Sequence, residues 1–481
     1  MRLSVLAQTT GTFLLYFSGA FAAPLGVAVL YREWTDALGF LGAGLLSAAV
    51  GWLCARGRSP VNGVTRVEGL AIVSAAWVLI AASAALPYLV SGLGPIDAMF
   101  ESMSGLTTTG ATVIRDFTAH GHGLFFWRSL TQWFGGMGVI ALFVAVLPKL
   151  GIAGRQLFFA EAPGPVDEKL TPQIRKTAGA LWAVYAGLTV LQFVALLATG
   201  MPVFDSACHA LTTLAAGGFS PHPSSVAGYQ NPAAEWVITA FMFVAGANFA
   251  LHYRALRGEW RAFLHDEEFR AYVAIVGVSV LLLMVFLRAD LVGPVERVRV
   301  SAFQVLSILT TTGFASADFQ LWNEQAKMVL LALMFIGGCA GSAAGGPKIV
   351  RQLLIARYTL NEVRRTLHPR AVLPVKLGGR VVPEEIMRGV LVFFLFYLLV
   401  FAVSTLVVSA LGADLLTAIT ASIACLGNIG PGFNAVGPMA SFADLHPVSR
   451  VVLTAAMWVG RLEILTVLAV LHPDAWRVLR R

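Results

Sequence analysis

The feature of this sequence that most constrains its fold is a set of four short apolar segments, each between two long ones. The short segments cover residues 95–106, 203–214, 300–309 and 414–426. A helix of this length, at about 1.5 Å per residue, is too short to cross about 30 Å of hydrocarbon. We therefore predict four half-helices that dip into the outer leaflet of a membrane.

The long apolar segments predict membrane-spanning helices, because each can cross a bilayer and carries few charges. They cover residues 10–30, 37–54, 68–90, 124–147, 178–199, 234–251, 271–288, 326–350, 389–410 and 449–470. Only 12% of the chain is charged, against about 25% in soluble domains. The first segment is predicted to be a retained helix rather than a cleaved signal peptide, because its apolar run continues past the cleavage-like residues 20–24 to Leu30.

Basic residues lie mainly between the long segments, at every second crossing. Because positive residues concentrate on the cytoplasmic side of a membrane, we predict a multi-pass protein with both termini in the cytoplasm. The net charge of +8 then reflects charges that flank membrane helices. We exclude a nucleic-acid-binding protein, since no soluble basic domain is visible.

Internal repeats predict the domain organisation. We predict an N-terminal helix pair at 1–66 and pore repeats at 67–176, 177–270, 271–388 and 389–481. With the repeats aligned on the last glycine after each short segment, a leucine stands four residues earlier in each: Leu106, Leu214, Leu309 and Leu426. Such repeats mark transporter and channel architecture. The predicted fold class is an all-α polytopic membrane protein, with four pseudo-symmetric helix–pore-loop–helix repeats around a central pore plus two N-terminal helices.

A loop rich in small residues, mainly threonine and glycine, follows each short segment. Glycine reaches backbone angles closed to other residues, so such a loop can turn its carbonyl groups inward. A ring of carbonyl oxygens can replace the water shell of a cation, and the carbonyl end of each half-helix carries about half a negative charge. We predict an ion-selectivity filter formed by Thr108, Thr109, Gly110, Ala216, Gly217, Gly218, Thr311, Thr312, Gly313, Asn428, Ile429 and Gly430.

A glycine-rich stretch interrupts a long segment of the third repeat, which we expect to be the only broken spanning helix. Five glycines and a proline cannot sustain a helix there. Irregular backbone at membrane depth is tolerated where protein covers it or where it lines a watery cavity. The stretch is either a close-packed contact between helices or a movable flap under the filter. Its candidate gate residues are Gly337, Gly338, Gly341, Ser342, Gly345, Gly346 and Lys348.

Arg461 places a charge near the middle of the last long segment. A charge at that depth costs about 2.5–3.5 kcal/mol, so it normally faces a cavity or a partner. One interpretation is a structural ion pair with Glu463 or another carboxylate, although residues two apart do not share a helix face. The other is a positive charge below the filter that hinders a passing cation.

Other polar residues carry weaker signals. Asp97, Asp205 and Asp414 begin short segments and are predicted to be N-caps rather than ion ligands. The four cysteines are predicted to be small buried residues, not disulfides or metal ligands. No histidine spacing predicts a metal site. Residues 371–383 predict a small hairpin on the inner face, which is either a docking surface or a connector.

Six segments together resemble the Trk/Ktr/HKT potassium transporter superfamily, and the helix pair before the first repeat resembles its TrkH-type membrane subunit. They are Thr107–Val113, Ala216–Ser220, Thr310–Phe314, Gly337–Lys348, Cys425–Phe433 and Gly460–Ile464. The resemblance implies potassium uptake across the cytoplasmic (inner) membrane, through a filter marked by Gly110, Gly218, Gly313 and Gly430. It also implies that the 337–348 segment and Arg461 form the gate below that filter.

The resemblance further implies the protein's partners. These are a second copy in a homodimer and cytosolic TrkA-like nucleotide-binding regulatory subunits, which would hold any NAD or ATP. The chain itself is then expected to hold no cofactor, and to bind potassium only as the transported ion at the filter. Uptake is either channel-like or coupled to another ion.

Two other classes of protein compete with this interpretation. A sodium-coupled solute symporter would need helices broken in symmetric pairs, whereas only the third repeat is predicted to be broken. A membrane-embedded enzyme would need a cluster of nucleophile, base or metal ligands, which the sequence lacks. We therefore predict that the chain is not an enzyme.

Overall fold

The computed structural model describes residues 2–56, 65–145, 170–288, 293–471 and 473, and these residues are mostly helical. The predicted end of the 124–147 segment and the predicted cytoplasmic C-terminus lie outside them. Among the described residues, six helices are long and apolar enough to cross a membrane, or seven if one sharply bent pair counts as a single span. The prediction of a polytopic helical protein is confirmed.

The N-terminal segment is the predicted helix pair. Helices α1 (Leu3–Ser18) and α2 (Ala22–Leu30) are joined by a 3-10 turn, and α3 (Trp34–Ala55) follows them. Glycines let α1 and α3 approach closely. A Cβ atom added to Gly51 would lie only 2.7 Å from the backbone nitrogen of Leu15, which is closer than packed atoms can come.

The four repeats follow in chain order. The first comprises α4 (Arg66–Ala84), α5 (Leu86–Val90), the short helix α6 (Pro95–Leu106) and the returning helix α7 (His122–Ala145). The second comprises α8 (Leu170–Ala198), the short helix α9 (Val203–Leu214) and the returning helices α10 (Pro232–Ala245) and α11 (Phe249–Leu256), with α12 (Ala262–His265) after them. The third comprises α13 (Glu267–Phe286), the short helix α14 (Pro294–Leu309) and the returning helices α15 (Glu324–Met334) and α16 (Ile349–Leu367). The fourth comprises α17 (Glu384–Ala410), the short helix α18 (Leu415–Leu426) and the returning helices α19 (Pro447–Arg461) and α20 (Ile464–Leu471).

The short helices lie where the sequence predicted them, and α6 and α9 begin at the predicted residues 95 and 203. Helix α14 begins at Pro294 rather than at residue 300. Asp414 is an N-cap, whose carboxylate accepts a hydrogen bond from Thr417 N at 3.0 Å. The N-cap prediction for Asp97 and Asp205 was wrong, because both helices begin before the aspartate. Each carboxylate lies in the first turn instead, where the helix dipole still favours a negative charge.

Three returning segments are broken, and the expectation that only the third repeat is broken was wrong. The second repeat bends by 99° between α10 and α11, where Asn248 caps the new helix by accepting from Ala250 N at 2.8 Å. The fourth breaks between α19 and α20, where Glu463 has a φ of 61°. These two breaks have only three and two residues between their helices, so neither interrupts the apolar pattern enough to be visible in the sequence.

Two smaller predictions have mixed outcomes. Strands β1 (Lys376–Leu377) and β2 (Arg380–Val381) pair antiparallel, which confirms the hairpin. Three cysteines are buried as predicted, namely Cys208, Cys339 and Cys425. The prediction for Cys54 was wrong, since this residue is exposed near the end of α3.

Replacing Gly51 with Ala should lower the melting temperature of the detergent-solubilised protein. The added methyl group pushes α1 away from α3, and overpacking of this kind costs about 1–3 kcal/mol. Gly42→Ala in the same helix is the matched control, because a Cβ there meets nothing within 4 Å and Ala is the better helix former. Equal melting temperatures for the two variants would contradict the close contact.

Candidate functional site

All four short helices end in the same backbone motif. The second residue after each helix is left-handed, with φ of 52° at Thr108, 53° at Ala216, 57° at Thr311 and 54° at Asn428. Its N–H donates to the carbonyl three residues earlier, at 2.9–3.3 Å, and the next N–H donates to the carbonyl five residues earlier, at 2.8–2.9 Å. This is the Schellman arrangement, which normally places Gly at the left-handed position. The chain therefore turns sharply away from each helix end.

The left-handed residues store strain, because none of them is glycine. A left-handed conformation costs an L-residue about 1–2 kcal/mol, and it is least favourable for a β-branched residue such as Thr108 or Thr311. Such strain persists only where the surroundings hold it, and it collects at functional sites. In the first loop the Thr107 hydroxyl donates to Met103 O and lies 2.7 Å from the Thr109 hydroxyl. The third loop repeats both contacts. These hydrogen bonds stabilise the turn in each of the two loops.

The four loops close into a ring. The last glycine of each loop has a positive φ, and a Cβ atom added to it would come closer than 3.0 Å to a carbonyl oxygen of the next loop. The four contacts are Gly110 with Gly217 O, Gly218 with Thr312 O, Gly313 with Ile429 O and Gly430 with Thr109 O. The order runs from the first loop to the fourth and back to the first. The loops therefore meet around one shared axis, as the predicted central pore requires.

The ring favours cations without using an acidic side chain. Its twelve predicted residues are threonine, glycine, alanine, isoleucine and asparagine, and its contacts are made by backbone carbonyl oxygens. The carbonyl ends of α6, α9, α14 and α18 lead directly into it, and each such end carries about half a negative charge. The arrangement can therefore bind a cation that has shed its water.

The glycine-rich loop, residues 335–348, lies against the ring where the short helices end. Gly345 N donates to the hydroxyl of Thr311 at 2.6 Å. A Cβ added to Gly345 would lie 2.5 Å from Gly427 O, in the fourth loop. The loop therefore touches two of the four quarters, and no larger residue fits between it and the ring.

The glycine-rich loop is ordered by hydrogen bonds from neighbouring helices. The carboxylate of Glu268 accepts from Ala340 N at 2.8 Å and from Val350 N at 2.9 Å. Cys339 N donates to Gly246 O at 3.0 Å. The stretch is closely packed, as one of the two interpretations expects, but its backbone is irregular, since Gly337, Gly341 and Gly346 have positive φ.

Arg461 points at the glycine-rich loop. Its guanidinium is buried and donates to Ala343 O at 3.2 Å and to Gly135 O at 3.3 Å. Glu463 pairs with Arg351 at 2.6 Å, so the ion pair considered between Arg461 and Glu463 is not formed. Among the described residues, no carboxylate lies within 4.0 Å of the Arg461 guanidinium.

A small cavity separates Arg461 from the ring. It has a volume of about 30 Å³ and is lined by the glycine-rich loop, by Asn428 and by the charged side chains of Lys348, Arg351, Arg461 and Glu463. Three cationic side chains and one carboxylate therefore line the space next to the fourth loop, and the carboxylate of Glu463 is paired with Arg351. The net charge of this lining is positive, so it opposes a cation on this side of the ring.

Sequence reasoning missed three buried polar residues behind the ring: Glu101, Arg128 and Gln132. Gln132 Nε2 donates to Gly217 O at 2.6 Å, and its Oε1 accepts from Phe219 N at 3.0 Å. Helix α7 of the first repeat thus holds the loop of the second. A buried polar residue needs partners, so polar positions within the apolar 95–106 and 124–147 segments were the available signal.

Comparison with known proteins agrees with this architecture. The sequence profile of the TrkH family, described as a cation transport protein, matches residues 46–475. This chain belongs to the TrkH family. The Trk system potassium uptake protein TrkH of Salmonella typhimurium strain LT2 is 38% identical over 488 residues, which cover 99% of this chain and 100% of that protein. The Trk system potassium uptake protein TrkG of Escherichia coli K12 is 34% identical and covers 98% of each chain.

A solved structure of the TrkH family has the same fold. The crystal structure of the potassium transporter TrkH from Vibrio parahaemolyticus matches with a TM-score of 0.90 and 35% identity, over 99% of this chain and 100% of that one. The match confirms the predicted fold class.

Replacing Gly218 with Ala should reduce cation flux into proteoliposomes. The new Cβ collides with Thr312 O, a backbone atom that cannot turn aside, so a loss of about tenfold or more is expected. Gly200→Ala is the matched control. Gly200 has a φ of 86°, close to the 76° of Gly218, but a Cβ there meets nothing within 4 Å. An equal loss of flux in both variants would show that the backbone angle, not the ring contact, is responsible.

Proposed function

We propose that this chain takes up potassium across the cytoplasmic (inner) membrane through the ring of four loops. The observation that carries the proposal is the cyclic contact of Gly110, Gly218, Gly313 and Gly430 with the carbonyl oxygens of the next loop. The relatives that are 34–38% identical to this chain are named potassium uptake proteins. The filter consists of the twelve loop residues predicted from the sequence, and potassium is its transported ligand.

The carbonyl ring suits a weakly hydrated monovalent cation. Potassium would exchange its water shell for carbonyl oxygens as it enters the ring. A divalent ion holds its water and prefers carboxylate ligands, which the twelve filter residues do not supply. The braced, strained turns at Thr108 and Thr311 keep the carbonyl groups from collapsing onto a smaller ion.

The gate is the glycine-rich loop together with Arg461. Gly337, Gly338, Gly341, Ser342, Gly345, Gly346 and Lys348 belong to this loop. Its contacts with Thr311 and with the fourth loop place it in the path of an ion that leaves the filter. Opening requires the loop to move away, and Arg461 holds it in place through Ala343 O. Arg461 also opposes a passing cation with its own charge.

Replacing Arg461 with Ala should raise potassium flux by about three- to tenfold, because it removes both the positive charge and the bond to the loop. Arg450→Ala is the control in the same helix. Arg450 lies at the other end of α19 and pairs with Asp97 of α6. Removing the Arg450 side chain should therefore weaken packing without raising flux. Unchanged or lower flux in correctly folded Arg461→Ala protein would contradict the barrier.

The hairpin β1–β2 is the proposed docking surface for cytosolic TrkA-like nucleotide-binding subunits. Arg357 of α16 pairs with Glu267 at 2.8 Å and donates to Lys376 O of the hairpin. Helix α16 begins where the glycine-rich loop ends, so a force on the hairpin reaches the gate through one helix. Val372 next to the hairpin is 90% exposed and offers an apolar contact. Any NAD or ATP would bind to those subunits.

The remaining proposals concern assembly and membrane placement. We expect two copies of the chain to form a homodimer in the bilayer, with both termini in the cytoplasm, as the resemblance implies. The matched relatives are transport proteins, and we do not assign an enzymatic activity to the chain. Uptake is either channel-like or a symport coupled to another ion.

A sodium-coupled solute symporter is the competing function. The sequence argued against a symporter because only one returning segment was expected to be broken. Three returning segments are broken, so that argument no longer holds. The ring itself argues against it, because neighbouring loops touch backbone to backbone and leave no room for an organic solute.

Purified protein in proteoliposomes should prefer potassium to sodium, and Gly313→Ser should lower that preference. A side chain at Gly313 meets Ile429 O and Pro431 within 3.0 Å, so it distorts the carbonyl ring. The measurement is the ratio of potassium to sodium flux under identical gradients. A wild-type ratio near one would contradict the proposed function, and an unchanged ratio in Gly313→Ser would contradict the role of this loop.

A further inference from the structure

Three of the four repeats place a polar residue nine positions before the filter glycine, and the contacts within the ring do not explain these residues. The position is occupied by Glu101, His209 and Gln304 in the first three repeats and by Ala421 in the fourth. All four are fully buried within their short helices. Buried polar groups cost free energy unless they are hydrogen-bonded, so their partners indicate what this position does.

In the first quarter, Glu101 holds the strand that leaves the filter. Its carboxylate accepts from Val113 N at 2.9 Å and from the Thr112 hydroxyl at 3.0 Å. Arg128 Nε donates to the same carboxylate at 2.8 Å, and Arg128 Nη1 donates to Ser220 O of the second loop at 3.2 Å. One buried ion pair thus joins the outgoing strands of two neighbouring quarters.

The third and fourth quarters make the same bond with uncharged side chains. In the amide orientation that satisfies both its groups, Gln304 accepts from Ser316 N at 3.2 Å and donates to Phe314 O at 3.1 Å. In the fourth quarter Thr420, one residue earlier than Ala421, accepts from Phe433 N at 3.0 Å. Three quarters therefore anchor the amide of the third residue after the filter glycine to their own short helix.

The second quarter differs for a reason visible in its sequence. The residue in the equivalent position is Pro221, which has no N–H to donate. His209 bonds one residue earlier instead, with Nε2 3.2 Å from the Ser220 hydroxyl, while its Nδ1 lies 2.8 Å from Asp205 O. His209 therefore serves the same purpose as Glu101 and Gln304, because the strand that leaves the filter is still hydrogen-bonded to its short helix.

We propose that Glu101, His209, Gln304 and Thr420 are positioning residues that tie the outgoing strand of each filter loop to its short helix and so set the ion preference. Arg128 extends the tie of Glu101 across the junction between the first two quarters. These residues act through the backbone and do not touch the ion. The inference rests on the proposed function, because it concerns the selectivity of the same filter.

The test in the first quarter compares two double variants that differ only at position 101, where one keeps a side chain with a hydrogen-bond acceptor and the other does not. Glu101→Gln with Arg128→Met removes both charges but keeps an amide oxygen for Val113 N, as Gln304 provides in the third quarter. Glu101→Ala with Arg128→Met removes the acceptor as well. The potassium-to-sodium flux ratio should fall about tenfold in the Ala variant and should stay within about threefold of wild type in the Gln variant. Equal ratios in the two variants would overturn the positioning role of Glu101.

The third quarter supplies an independent test in which no charge is buried or removed. Gln304→Met deletes the acceptor for Ser316 N at nearly constant volume, and the potassium-to-sodium ratio should fall. Gln192→Met is the matched control, because Gln192 is equally buried and neither end of its amide bonds to another residue within the described ranges. Its ratio should equal that of wild type.

The outcomes distinguish a failure of the positioning role from a failure of the proposed function. A wild-type potassium preference that survives in Gln304→Met overturns the positioning role alone, as does an equal fall in Gln192→Met. Wild-type protein without a potassium preference overturns the proposed function and this inference with it. If the Glu101→Ala double variant does not fold, the comparison of Gln304→Met with Gln192→Met decides the matter.

Discussion

The structure depends on one contact made four times, between a glycine without a side chain and a carbonyl oxygen of the next loop. The contact requires four helix ends at one depth, so the short helices must stop near the middle of the protein. It also requires a sharp turn after each helix, which the left-handed residues supply at a cost in strain. The spanning helices, the buried polar residues and the glycine-rich loop all pack around the ring that these contacts form.

Much of this architecture could be predicted, because segment length and glycine placement are properties of the local chain. The short helices ended at Leu106, Leu214, Leu309 and Leu426 as expected. The bend before Phe249 and the break at Glu463 could not be predicted, since only two or three residues in an apolar run produce each of them. The roles of Arg128 and Gln132 could not be predicted for another reason. Each donates to a backbone carbonyl in the loop of the second repeat, and the spacing within one repeat says nothing about its neighbour.

The glycine-rich loop and the filter are mechanically joined. The Thr311 hydroxyl accepts from Gly345 N, so the strained turn of the third quarter and the loop share a hydrogen bond. Glu268 accepts hydrogen bonds from Ala340 within the loop and from Val350 just after it, while Arg461 donates to Ala343. Displacing the loop therefore breaks bonds on the filter side as well as on the helix side, and the shape of the third quarter is linked to the position of the loop.

Four quarters encoded in one polypeptide have a genetic consequence. A pore made of four identical subunits changes at every junction when a single codon changes. Here Gly218 faces Thr312 while Gly430 faces Thr109, so each junction is written separately in the gene. A mutation can therefore alter one junction while the other three remain intact, and the second quarter already differs from the others, since Pro221 has no N–H to donate and His209 bonds to Ser220 instead.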